Sequence, residues 1–149
     1  MNAKYSAKDI AQWFINRAAR DVGDNGGEYL THLKLQKLLY YAQGCYSAMK
    51  GSPLFKDKIY AWSHGPVVKA VYGIYSAYHD NAIDVRKEVK LDAETEGILE
   101  EVYNVFGQFS AWKLRNMTHE HKPWKDTPQN EEIPLNKITE YFKENIVTE

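Results

Sequence analysis

The chain has 149 residues, 44% hydrophobic and 26% charged, with 11 Tyr, 4 Trp and 5 Phe. This is the composition of a globular protein of one-domain length, able to bury roughly 68–70% of its unfolded surface, and it excludes global disorder. One cysteine excludes an internal disulfide framework, no apolar run approaches a membrane span, and a net charge of −1 argues against a protein that coats nucleic acid.

The polar start MNAKYSAKDI has no signal-peptide apolar region, so a soluble, cytoplasmic protein is expected. Ser6 is placed to cap a first helix, with Asp9 in its first turn and Tyr5 able to staple against Ile10. Ile10, Trp13, Phe14 and Ala18 give that helix one apolar face, and Gly23-Asp24-Asn25-Gly26-Gly27 is read as the loop that ends it. No strand precedes these glycines and no Lys-Ser/Thr follows, so they are a turn and not a phosphate cradle. A second helix follows from Leu35, Leu38, Leu39, Ala42, Cys45, Tyr46 and Met49, and Gly51 and Pro53 terminate it. Cys45 falls on that stripe and reads as a small core residue. The opposite face carries Lys34, Lys37 and Tyr41 on one row, and Gln36, Tyr40, Gln43 and Ser47 on another.

Lys58 to Trp62 is rich in β-formers and reads as a strand. Ser63-His64-Gly65-Pro66 is expected to turn it into a third helix with Pro66 at the first helical position, burying Val68, Val71, Tyr72 and Tyr75. Residues 79–90 are polar and irregular, with a short strand in Ile83–Val89 that could pair with 58–62. Asp92 caps a fourth helix, with Glu94 and Glu96 at its positive end, Ile98, Leu99, Val102 and Phe106 on its core side, and Gly107 at its end. Ser110 caps a shorter fifth helix through Leu114 and Met117, Thr118 to Glu132 reads as a loop, and Pro134 opens a last helix with Ile138, Tyr141, Phe142 and Ile146 on one face. The expected fold is mainly α: one compact domain over 1–149, of about six helices with a small β element.

The near-zero total charge hides an asymmetry. Residues 1–79 hold 10 basic and 5 acidic side chains, whereas residues 80–149 hold 9 basic and 15 acidic, giving balances of +5 and −6. Either the halves attract one another within one globule, or the surface carries two signs and docks a partner.

Chemistry finds little anchor. His119-Glu120-His121 is the best metal-like cluster, but a zinc site needs three or four ligands and no other histidine has ligand spacing to the pair. His64-Gly65-Pro66 can bind an anion at a helix start, yet there is no Gly-x-Ser-x-Gly elbow and no relay for Ser63, which favours a structural turn. Glu100-Glu101 points two ways from a helix, so no carboxylate pair stands out. No catalytic residue, cofactor or metal is assigned. Lys34, Lys37 and Tyr41 can stack on and contact a nucleic-acid backbone, but two lysines are too few, and a solvated helix face is the plainer reading. Trp13, Tyr46, Tyr72 and Tyr75 belong to the core stripes; Tyr40, Tyr41, Trp112 and Trp124 are harder to bury and are the residue types of binding hot spots.

These residues carry a family likeness. Leu35-Gln36-Lys37-Leu38-Leu39-Tyr40-Tyr41-Ala42-Gln43-Gly44, Gly51-Ser52-Pro53-Leu54-Phe55 and Ala61-Trp62-Ser63-His64-Gly65-Pro66-Val67-Val68 with Val71-Tyr72 resemble the Panacea domain of SocA-like antitoxins. Ser110-Ala111-Trp112-Lys113-Leu114 and Thr118-His119 with Pro123-Trp124 continue the pattern in order, so that the likeness spans about residues 5–145. The resemblance implies a mostly helical, non-enzymatic bacterial or phage protein that neutralises a toxin by direct contact. Its alternative is an adaptor that delivers a toxin or host protein to a protease such as ClpXP. The implied partner is a cognate toxin or a host protein, with a homo-oligomer compatible and neither nucleic acid nor membrane expected. Lys34, Lys37, Tyr40, Tyr41, Trp62, His64, Gly65, Pro66, Thr118, His119, Pro123 and Trp124 are the candidate partner-binding residues. The same residues read equally as the family's shared fold determinants.

Overall fold

The structure is a computed structural model that describes residues 3–78 and 81–147. Its elements are α1 (Ala7–Asn25), α2 (His32–Lys50), β1 (Ile59–Trp62), β2 (Gly65–Val68), α3 (Lys69–Tyr75, extended by a 3₁₀ turn Ser76–Tyr78), α4 (Ala93–Phe106), α5 (Ala111–His119), α6 (Lys122–Lys125) and α7 (Leu135–Asn145). The mainly helical fold with a minor β element is the one the sequence implies. None of the described helices is long and apolar enough to cross a membrane.

Local chemistry sets the helix ends. Ser6, Thr31, Asp92 and Ser110 each accept from the backbone N–H three residues on, which satisfies one of the donors a helix start leaves free. Gly26 and Gly51 close α1 and α2 in the left-handed conformation. Helix α1 therefore runs through Gly23 and stops two residues later than the glycine run suggests.

Helix α2 is the axis of the molecule. Every residue from Leu35 to Ser47 is buried, because α1, α4, α5, α7 and the hairpin pack around it. A helix enclosed on all sides normally reads as apolar throughout. This one carries polar side chains on its second face, and its two glutamines there are consumed by backbone groups of a surrounding strand and loop. Gln36 accepts from Val68 N–H (2.7 Å) and donates to Val68 C=O (3.3 Å). Gln43 accepts from Leu54 N–H and donates to Phe55 C=O, both at 2.7 Å. Gly44 admits the ring of Phe142, which would collide with any side chain there.

Four expectations are corrected. Pro66 lies in β2, and the helix starts at Lys69: the two-residue Ser63-His64 turn folds β1 back into an antiparallel hairpin, registered Ile59↔Val68 to Trp62↔Gly65. Ile83 does not pair with that strand. Its N–H donates to Leu30 C=O (2.8 Å), and the free edge of β1 is taken instead by residues 130–133, through Ala61 and Ile59. Tyr72 is 38% exposed and Met49 55%, so neither is the buried core residue its helical stripe suggests. Within the expected loop 118–132, α5 continues to His119 and α6 forms one further turn opened by Pro123. Of the irregular 79–90 stretch, His79 and Asp80 lie outside the described residues.

Candidate partner-binding site

Seven of the twelve candidate residues lie in the interior. Lys37 is 2% exposed, Tyr40 0%, Tyr41 1% and Thr118 0%, and Gly65, Pro66 and Pro123 are buried. The solvated face expected for Lys34 and Lys37 is absent. Lys34 reaches across to donate to Gly107 C=O (2.6 Å), neutralising the negative end of α4. Lys37 points into the hairpin, where its ammonium donates to Pro66 C=O (3.1 Å). Burial with only a carbonyl as partner, and the charge of Arg115 nearby, bring its pKa down to about 7.

Tyr40 and Tyr41 hold His121 between them. The Tyr40 hydroxyl is 2.9 Å from Nδ1 and the Tyr41 hydroxyl 3.4 Å from Nε2. A neutral imidazole accepts at one nitrogen and donates at the other, so it serves both hydroxyls. Desolvation pushes its pKa down to about 4 and raises both phenols. Phe106 stacks on Tyr41 at 3.9 Å, Phe142 meets Tyr40 edge-on at 5.3 Å and Tyr141 covers His121 at 4.6 Å. The aromatic pair that pattern alone left unplaced is thus the seam between α2, the α5–α6 corner and α7. Cys45 is 8% exposed and its thiol is pushed up to about 12 by burial, as a packing residue requires. Among the described residues, no three His, Cys, Asp or Glu side chains gather closely enough to hold a metal ion.

Of the remaining five, Trp62, His64, His119 and Trp124 converge on the hairpin tip. Gly65 adopts φ +108°, open to glycine and rarely to other residues, and a Cβ there would also press on Lys37 and Thr118. That conformation turns Ser63 and His64 outward, and both are exposed. On one flank Arg115 donates from Nε to His64 Nδ1 (3.3 Å) while its guanidinium lies over the Trp112 ring (4.4 Å). On the other, Trp62 meets Tyr72 at 4.8 Å and Tyr72 meets His32 at 4.7 Å. Beneath the tip, Trp124 donates to Trp62 C=O (2.9 Å) and its ring is stacked on His119 at 4.1 Å. Trp112, 59% exposed, and Tyr72 leave apolar surface on the two flanks of the basic tip.

Comparison with known proteins matches residues 35–125 to the family model described as antitoxin SocA-like, Panacea domain. The chain belongs to this family. It is also 33% identical over 135 residues to the antitoxin SocA of Caulobacter vibrioides (strain NA1000 / CB15N), covering 79% of this chain and 68% of the relative. No solved structure matches significantly. The buried stretch of α2 and the hairpin with Trp112, Arg115 and Trp124 lie within the Panacea match. Arg115 and His32 are absent from the sequence-derived candidates, and Trp112 figures there only as a residue of hot-spot type and of the family motif. A signal for Arg115 existed: it follows Trp112 by three positions, which places the two on one helix face. Nothing local announces that His32, at the start of α2, meets a tyrosine from α3.

Proposed function

We propose that this protein is a non-enzymatic antitoxin that neutralises its toxin by direct contact, and that the hairpin tip is the contact surface. The observation that carries the proposal is the tip itself: exposed Trp112 and Tyr72 flanking Ser63, His64 and Arg115, in a chain of the SocA-like family. Large aromatic and Arg side chains dominate binding energy because they supply contact area at small entropic loss. Trp62, His64, His119 and Trp124 belong to this surface or its immediate backing. Lys37, Tyr40, Tyr41, Gly65, Pro66, Thr118 and Pro123 support it from beneath, and Lys34 braces α4.

Co-expression with the toxin encoded beside this chain tests the reading. Growth rescue that persists in a host lacking ClpXP is expected. Rescue that vanishes without the protease replaces sequestration with the adaptor mechanism, and failure of rescue in either host contradicts the antitoxin role.

A further inference from the structure

The groups gathered at the hairpin tip share one property: they donate or carry positive charge, and nothing acidic answers them. Lys37, His32 and His119 are each influenced by neighbouring cations, Lys37 by Arg115, His32 by Lys37, and His119 by Arg115, Lys37 and His64. No carboxylate acts on any of the three. Arg115 makes no ion pair among the described residues; its nitrogens are spent on a histidine and on the Asn116 amide. Two side chains here also hold buried nitrogen atoms without a hydrogen-bond partner in the protein, Trp62 Nε1 and both ring nitrogens of His32, and the His119 ring draws on the Ser63 backbone. Buried side-chain atoms of this kind are rare in native proteins, and each calls for an explanation.

We infer that the hairpin tip is a receptor for an acidic segment of the protein partner, whose carboxylates pair with Arg115 and the exposed His64 while its apolar side chains cover Trp112 and Tyr72. The inference rests on the antitoxin reading for the partner's identity, and on the tip's own chemistry for the ligand class. A peptide is favoured over a nucleic acid for two reasons. Affinity for a phosphate backbone grows with the number of accessible cations, and Lys37, the other basic side chain at the tip, is only 2% exposed. Exposed Trp112 and Tyr72 match apolar side chains, and the chain as a whole is net negative.

The test is a titration of the isotope-labelled protein with octaglutamate at low salt, followed by nuclear magnetic resonance. An octathymidylate and an octalysine of similar length serve as controls. Octaglutamate is expected to shift the indole N–H signals of Trp62 and Trp112 while leaving that of Trp13 in place. Arg115→Gln and His64→Gln are each expected to weaken the response by about tenfold or more, with the spectrum of the folded protein retained. Should either variant unfold, the wild-type shifts and their loss in added salt still decide the matter. Absence of shifts at the two indoles, equal affinity in the folded variants, or tighter binding of octathymidylate would each overturn the inference. Growth rescue is scored separately. A protein that binds octaglutamate but fails to rescue retires the toxin reading and leaves the anion receptor standing. Rescue without octaglutamate binding does the reverse.

Discussion

At the residue scale, two buried titratable side chains make stability depend on pH in a calculable direction. Lys37 titrates near 7 in the fold against 10.5 for an ordinary lysine, so between those values the unfolded chain holds the extra proton. Stability then rises with pH across that window, and the burial penalty is fully present below it. Lys37→Met removes the penalty and forfeits one bond to Pro66. Its advantage over wild type should therefore be largest at pH 7 and shrink by about 2–3 kcal/mol by pH 9.5, measured as urea unfolding free energies. His121 behaves alike at lower pH. Its folded value near 4 lies below the ordinary 6.5, so its contribution is complete above 6.5 and is lost as pH falls towards 4. Wild type should lose about 3 kcal/mol over that range beyond what His121→Gln loses. Gly44→Ala pits a methyl group against the Phe142 ring and should cost about 1–3 kcal/mol at any pH, read from the same urea curves.

At the scale of elements, α2 carries two kinds of information in one helix. Its apolar positions recur at helical spacing, and that signal located the helix and its glycine stop. The polar positions between them are invisible to such periodicity, because a glutamine or lysine reads as solvent-facing unless its partner is known. Gln36, Lys37 and Gln43 instead clamp Val68, Pro66, Leu54 and Phe55, none of them near in sequence. The same long-range dependence explains the hairpin. Pro66 is a good first residue for a helix, and only the pairing of β1 with both β2 and residues 130–133 reveals it as strand. Caps were legible because they are local; pairing partners were not. Of the candidate residues, the motif mixed buried supports of the hairpin with exposed groups at its tip. Two variants separate these classes. Gln36→Ala strips both partners from the Val68 peptide groups and should cost about 1–3 kcal/mol in urea unfolding. Trp112→Ala, at an exposed site, should change stability by less than about 0.5 kcal/mol while weakening a partner complex.

At the scale of the whole molecule, the opposed charge balances of the two sequence halves have a structural expression. Of the six ion pairs among the described residues, five join residues 1–79 to residues 80–149: Lys4–Asp92, Arg17–Glu100, Arg20–Glu100, Lys50–Glu94 and Lys58–Glu132. Attraction between halves thus accounts for much of the asymmetry, and the hairpin tip, whose cations meet no carboxylate, is the remainder. Most of these pairs are exposed and worth little singly. Glu100, which serves both Arg17 and Arg20, is the exception in position, and Glu100→Gln should cost about 1 kcal/mol at low salt and less in 1 M NaCl. The central claim is that the partner is held at the hairpin tip and not along α2. It is tested most directly by the dissociation constant of the complex with the proposed toxin partner, for wild type and for Trp112→Ala and Arg115→Gln with unchanged urea midpoints. Weakening of about tenfold or more by each substitution is predicted; affinities equal to wild type in both would contradict it.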